Sequence, residues 1–346
     1  MPESIHHALA RLAGGLSLTA AEAHCAFSAM MEGEATEVEI AALLTALRVK
    51  GETPAEIVGA ARALAERAIV IATRHSGLLD TCGTGGDELH TFNISTAAAF
   101  VAAAVGVPVP KHGNRSVSSK SGSADVLEQL GVNIQLSPTQ VSHCLDELKI
   151  CFCFAPLMHG AMRHAAPVRK QLRFRTIFNL VGPLVNPAHA EYQLIGASRI
   201  ETADRLSQAL AQLGRKQALV VCGNNQLDEV SLWGRTTVFE VRSGGVSRYE
   251  WSAETFGLPP CRVEDLQITS AAESAELIRK IFQGQAGPAR DMVVANAAAA
   301  LLAAEQTTDP RAAAATAARA LDDGRVAALL DRLIIASRQI AAADDL

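Results

Sequence analysis

The chain has 346 residues, enough for about two domains at roughly 150 residues each. It is 49% hydrophobic, 19% charged and 4% aromatic, which excludes intrinsic disorder and requires a core built from Ala, Leu, Val and Ile. A net charge of −5 argues against non-specific wrapping of nucleic acid, and with a mean hydropathy of +0.16 no apolar run reaches the roughly 18–20 residues of a membrane span.

At the N-terminus, Met1 to His7 lacks the basic-then-apolar order of a secretory signal. The seven cysteines are odd in number and scattered, so reduced thiols and a cytoplasmic setting are expected. Thr19-Ala20-Ala21-Glu22, Thr36-Glu37-Val38-Glu39 and Thr53-Pro54-Ala55-Glu56 are three capping boxes, each opening an apolar helical pattern. Four short helices are predicted in the first 70 residues, too few to bury their apolar faces alone, so docking on another part or another subunit is expected. From Leu78 the character changes. Leu78–Cys82 reads as a strand running into Gly83-Thr84-Gly85-Gly86, Ser95–Gly106 as an Ala-rich helix, and Val107–Val109 as a second strand before a polar loop, Lys111–Ser121. Ser137 starts another capped helix, Cys151–Phe154 is a buried strand, and Leu194–Ala197 and Ala218–Val221 are further strands with a helix over 202–213 between them. Leu172–Pro187 is predicted as a helix that interrupts the rhythm, and Asp291–Ala342 as two or three helices. Strand alternating with helix predicts a mostly parallel α/β sheet flanked by helices.

Three loops carry candidate chemistry. Gly83-Thr84-Gly85-Gly86-Asp87 follows a strand, where α/β proteins bind ligands, and its glycines allow backbone N–H groups to converge on an anion; a plain tight turn is the alternative. Asn93-Ile94-Ser95-Thr96 starts a helix, which supplies either a simple N-cap or a phosphate site at the positive dipole end. The stretch from Lys111 to Asp125 holds Lys111, Arg115, Lys120 and five serines in an acidic chain, the groups a polyphosphate requires, although a solvated linker could share the composition. Asp228-Glu229 is either surface charge or a Mg²⁺ pair beside a phosphate. His159 and His164 read as structural residues, and Cys151 and Cys153 as buried apolar ones. No nucleophile elbow or zinc spacing occurs.

Taken together, Gly83–Asp87, Thr91–Thr96, Lys111–Asp125, Pro167-Val168-Arg169, Arg175–Pro187 and Leu227-Asp228-Glu229 resemble the anthranilate phosphoribosyltransferase family, in order and spacing over most of the chain. The resemblance implies a small all-helical domain over 1–72, completed by about 170–190, and an α/β domain over 73–169 and 191–346. It implies a homodimer through the helical domain, and a Mg²⁺ complex of phosphoribosyl pyrophosphate (PRPP) as donor to anthranilate in the second step of tryptophan biosynthesis. By motif position, Gly83, Gly86, Asp87, Thr91, Asn93, Ile94, Ser95, Thr96, Lys111, His112, Gly113, Asn114, Arg115, Ser116, Val117, Ser118, Ser119 and Ser123 would bind PRPP. Ser95, Asp228 and Glu229 would hold the metal, and Gly83, Asn114 and Arg169 would contact anthranilate. No general acid or base is implied; Lys111, Asn114 and Arg169 would act by charge and positioning. One departure stands out: the family's His-Gly-x-Asp-Gly type of turn before the carboxylates is here Cys222-Gly223-Asn224-Asn225-Gln226. A nucleoside phosphorylase of the same fold lacks the His112–Arg115 loop, and a nucleic-acid-binding relative would need a basic surface.

Overall fold

The computed structural model describes residues 3–115 and 121–343. Its first four helices are α1 (Glu3–Ala13), α2 (Ala20–Met31), α3 (Glu37–Lys50) and α4 (Pro54–Ala65). All three capping boxes form: the hydroxyls of Thr19, Thr36 and Thr53 accept from the N–H of Glu22, Glu39 and Glu56, whose carboxylates accept the threonine N–H groups at 2.8 Å. Glu56 does more than cap. Its buried carboxylate also accepts from the Leu18 N–H and the Lys50 ammonium, each at 2.9 Å, which ties three helices to the start of α4. Gly59 lets α2 and α4 touch, since a Cβ there would lie 2.4 Å from the Ala20 carbonyl.

Then come β1 (Leu79–Thr81), α5 (Ile94–Ala104), β2 (Val109–Gly113), α6 (Ser123–Leu130), α7 (Pro138–Leu148), β3 (Ile150–Phe154), α8 (Ala155–Met158), α9 (Ala166–Leu172) and α10 (Phe178–Val181). They are followed by β4 (Tyr192–Gly196), α11 (Ile200–Gln212), β5 (Gln217–Gly223), β6 (Thr236–Arg242), β7 (Gly245–Trp251), α12 (Ala271–Phe282), α13 (Pro288–Ala303), α14 (Pro310–Asp322) and α15 (Arg325–Ala343). One sheet has the order β1-β4-β5-β6-β7, with β1, β4 and β5 parallel and β6–β7 an antiparallel hairpin. A parallel pair, β2–β3, meets its edge: the Leu79 N–H donates to the Pro108 carbonyl at 2.9 Å, and the His112 N–H to Asp80 Oδ1 at 3.1 Å. The mostly parallel reading holds, and the five α/β strands read from the sequence are present.

The period-two alternation of a strand explains how this sheet serves two cores. Leu219 and Val221 of β5 face a core made with α5 and α13, whereas Ala218, Val220 and Cys222 face one that joins α11 to α1–α4 and to residues 165–185. Two expectations need correction. Residues 172–187 are not one helix. Arg173 at φ 55° closes α9, Asn179 Oδ1 caps the next turn by accepting the Thr176 N–H at 3.1 Å, and the four residues of α10 give way to a 3-10 turn over Gly182–Leu184. Lys111–Gly113, expected in a loop, extend β2 because they pair with Phe152–Phe154. The β6–β7 hairpin, α6 and α12 were not read from the sequence.

Candidate active site

A cavity of about 580 Å³ opens where β1, β2 and β5 end, and residues 155–183 close its opposite wall. Gly83, Gly86, Asp87, Thr91, Asn93, Ile94, Ser95, Lys111, His112, Gly113, Asn114, Arg115, Ser123, Arg169, Asp228 and Glu229 all line it. Thr96 does not: it is fully buried behind the wall, its N–H donating to Asn93 Oδ1 at 3.1 Å. Ser116, Val117, Ser118 and Ser119 lie outside the described residues.

The glycine turn is shaped around a carboxylate. The Gly85 N–H donates to Asp228 Oδ2 at 2.7 Å, and the Thr84 N–H to the Gly196 carbonyl at 2.8 Å. A Cβ on Gly83 would meet Asp228 Oδ2 at 2.8 Å, and one on Gly196 would fall 1.6 Å from the Asp228 carbonyl oxygen. Asp228 therefore sits between two strand ends that only glycine leaves open. The turn that delivers it runs Gly223-Asn224-Asn225-Gln226, with Asn224 and Asn225 both at φ 52°. Asparagine tolerates that left-handed region, and here both side chains are employed: Asn224 Nδ2 donates to Ser231 Oγ and the Trp233 carbonyl, and Asn225 Oδ1 accepts the Ile200 N–H. The unusual turn thus places Asp228 and Glu229 at the cavity floor. Screened from bulk water there, Asp87 is pushed up to about 7 by burial and by Asp228, and burial raises Asp228 as well. Glu229 is raised by burial and by its neighbour Asp228. This is a cluster of acids short of positive charge.

Beside it, α5 points its N-terminus into the cavity, capped by Asn93, and Ser95 lies on the first turn. The Lys111 ammonium is buried and donates to the Thr81 carbonyl at 2.6 Å, with Ser95 Oγ at 3.5 Å. Ser123 Oγ donates to the Asn114 carbonyl at 3.3 Å, and Arg115 ion-pairs with Asp125 at 3.0 Å and with Glu128, turning its guanidinium toward α6. On the opposite wall, Arg169 lies 5.2 Å over the Phe178 ring. Two groups not assigned to the site from the sequence, His159 and Arg175, join it. His159 and His112 meet Nε2 to Nε2 at 3.2 Å, and burial lowers them to about 4 and about 3, so both are neutral at pH 7. Arg175 donates to the Thr84 carbonyl at 2.6 Å. The sequence held no local signal for these contacts, because they form between segments far apart in the chain. Burial pushes the Cys82 thiol up to about 12, which removes it as a nucleophile.

Residues 6–68 match the helical bundle domain of the glycosyl transferase family, and residues 75–327 match its a/b domain. The two matches thus define a glycosyl transferase built from a helical bundle and an α/β layer, with the cavity lined from both. The chain is 47% identical over 325 residues to anthranilate phosphoribosyltransferase of Symbiobacterium thermophilum, covering 94% of this chain and 95% of the relative. To that of Desulforudis audaxviator it is 48% identical over 330 residues, covering 95% of each. The crystal structure of the Thermus thermophilus enzyme superposes with a TM-score of 0.90 at 41% identity, over 96% of this chain and 99% of that one. The Saccharomyces cerevisiae enzyme in complex with PRPP and Mg shares the fold, with a TM-score of 0.90 at 24% identity over 98% and 99% of the two chains. The chain belongs to the anthranilate phosphoribosyltransferase family.

Proposed function

We infer that the protein transfers the 5-phosphoribosyl group of PRPP to the amine of anthranilate, giving N-(5-phosphoribosyl)anthranilate and pyrophosphate in the second step of tryptophan biosynthesis. The observation that carries the reading is one cavity in which a glycine turn, a helix N-terminus, a buried lysine and an acidic pair face an arginine on the far wall. The first four suit a metal-bound pyrophosphate, and the planar fork of Arg169 suits the anthranilate carboxylate.

Asp228, Glu229 and the Ser95 hydroxyl are hard oxygen donors, and the raised carboxyl groups mark a place where positive charge is missing, so the site fits Mg²⁺. When bound, that ion neutralises charge on the departing pyrophosphate. Lys111 and the amides of α5 add to the same stabilisation, while Asn114, Gly83 and Arg169 hold the acceptor in line with the anomeric carbon. Attack is by an unprotonated aromatic amine, so no general base is required. The remaining PRPP contacts are assigned to Gly86, Asp87, Thr91, Asn93, Ile94, His112, Gly113, Arg115, Ser123 and the 116–119 loop. Thr96 acts from behind, its N–H donating to the Asn93 side chain that caps α5.

The same reading divides the chain at about residue 72, with 170–190 completing the helical domain. It takes the molecule as a homodimer through that domain. Val38 and Val49, eleven positions apart and so on one face of α3, are 78% and 82% exposed, which supports the dimer. A cytoplasmic location is supported by seven free cysteines; among the described residues no helix is long and apolar enough to cross a membrane. The test of the reaction is loss of anthranilate fluorescence on adding protein, PRPP and Mg²⁺, beside a metal-free control. Metal-dependent loss is the expected result. No loss with PRPP binding still measured by calorimetry would assign a different acceptor.

A further inference from the structure

Among the described residues, Arg175 is the guanidinium in the cavity that reaches across from the helical wall to the glycine turn. Its backbone precedes Thr176, Ile177 and Phe178, which are buried, the last two in the core shared with α1–α4. Its tip rests on the other side of the cavity. Nη2 donates to the Thr84 carbonyl at 2.6 Å, from a residue 91 positions away in sequence. The same guanidinium covers Gly86: a Cβ on that residue would lie 1.5 Å from Nη1, and Gly86 is at φ +82°, so both space and backbone demand glycine there.

Thr84 is held from two sides, by Arg175 at its carbonyl and by the Gly196 carbonyl at its N–H. Asp228 holds the next residue through the Gly85 N–H. The charges that Arg175 meets are Asp228, Asp87 and Glu88 on the turn side, which favour it, and Arg48 of α3, which does not. A half-buried cation placed among these carboxylates, and bonded to the backbone they surround, fixes the shape of the turn before any ligand arrives.

We infer that Arg175 is a positioning residue for the phosphoribosyl donor: it clamps the Gly83–Asp87 turn from the helical side, so that the N–H groups of the turn not already held by Gly196 and Asp228 are preorganised for the pyrophosphate. The inference rests on the PRPP reading above. Its substrate preference is one-sided. The donor depends on the Gly85–Asp87 part of the turn that Arg175 covers, whereas the acceptor is held mainly by Arg169 and Asn114, so loss of Arg175 acts chiefly on the donor.

The test is steady-state kinetics and PRPP calorimetry on Arg175→Ala, Arg175→Lys, Gly86→Ala and the double variant Arg175→Ala/Gly86→Ala. Arg175→Ala is expected to raise KM for PRPP about tenfold or more, with KM for anthranilate within about twofold; tenfold corresponds to roughly 1.4 kcal/mol. Arg175→Lys, which keeps the charge, should recover part of the loss. Gly86→Ala displaces the guanidinium and also strains a backbone at φ +82°, so it should be at least as harmful as Arg175→Ala, and the double variant should be no worse than Gly86→Ala alone because the Arg175 contact is already lost. A drop in Tm with both KM values unchanged, a rise confined to anthranilate, or additive effects in the double variant would each overturn the inference. If wild-type protein itself binds no PRPP in the calorimeter, the functional reading fails instead, and the two failures are told apart by that control.

Discussion

Gly83→Ala strikes directly at the seat of the acidic pair, and the Mg²⁺ titration separates that effect from the contacts Gly83 makes with the two substrates. The added methyl would stand 2.8 Å from Asp228 Oδ2, well inside van der Waals contact, and the neighbour is a carboxylate anchored on both sides. It cannot retreat cheaply: its oxygen takes the Gly85 N–H at 2.7 Å, and its carbonyl lies against Gly196. Relief therefore breaks the amide-to-carboxylate bond, a charge-assisted interaction worth about 1.5–3 kcal/mol. If that bond is what places the carboxylate on the metal, the conversion at 1.36 kcal/mol per decade predicts a loss of about 10- to 160-fold in kcat/KM at limiting Mg²⁺. The assay is anthranilate fluorescence loss at several Mg²⁺ concentrations, with circular dichroism to verify folding. Half-saturation by Mg²⁺ should shift upward. A folded variant with the wild-type metal titration and kcat/KM within about twofold would refute the claim that Asp228 is positioned by this turn.

Four further outcomes are expected. Arg169→Ala should raise KM for anthranilate and leave PRPP affinity by calorimetry nearly unchanged; a large loss of PRPP binding would move Arg169 to the donor side. Asp228→Asn with Glu229→Gln should weaken the response to Mg²⁺, and an unchanged titration would make the pair surface charge only. Because His112 and His159 sit below the histidine value of 6.5, the unfolded chain takes up protons first on acidification, so they cost stability as pH falls from about 6.5 to about 4 for His159 and about 3 for His112, and nothing above it. His159→Gln should reduce that slope by up to one proton, about 1.4 kcal/mol per pH unit by chemical denaturation, and an identical slope would contradict the neutral pair. Gly59→Ala gains roughly 1 kcal/mol of helix propensity but drives a methyl to 2.4 Å from the Ala20 carbonyl, so overpacking wins and Tm falls; a rise in Tm would show that α2 and α4 can part freely.

What the sequence made legible was what it encodes locally. The three capping boxes predict three helix starts because threonine and glutamate three residues apart satisfy each other whatever surrounds them. The glycine turn, the α5 N-terminus and Asp228-Glu229 were visible as local features whose roles only the family resemblance chose, and all reach the cavity. Thr96 was grouped with them by motif, yet helix geometry turns it inward. Residues 172–187 misread because apolar spacing there serves a winding segment, interrupted by Arg173 in the left-handed region and by Pro183. The hairpin was overlooked although its signal is present: Thr236–Val241 is rich in β-branched and aromatic residues, and Ser243-Gly244, at φ 50° and 77°, makes its two-residue turn. Arg175 and His159 could not be placed from sequence, since what defines them is a contact between opposite walls.

The bond between the Gly85 amide and Asp228 spans 143 residues. At about 5–20 residues per second of synthesis, roughly 7 to 29 s separate the appearance of the donor on the ribosome from that of its acceptor. Helices α1–α4 and the first strand are all made while the turn that gives the cavity its floor still lacks the carboxylate it closes on. The nascent chain therefore carries an unfinished anion site while those 143 residues are added, and competence for the donor arrives late and abruptly, with the residues that follow β5.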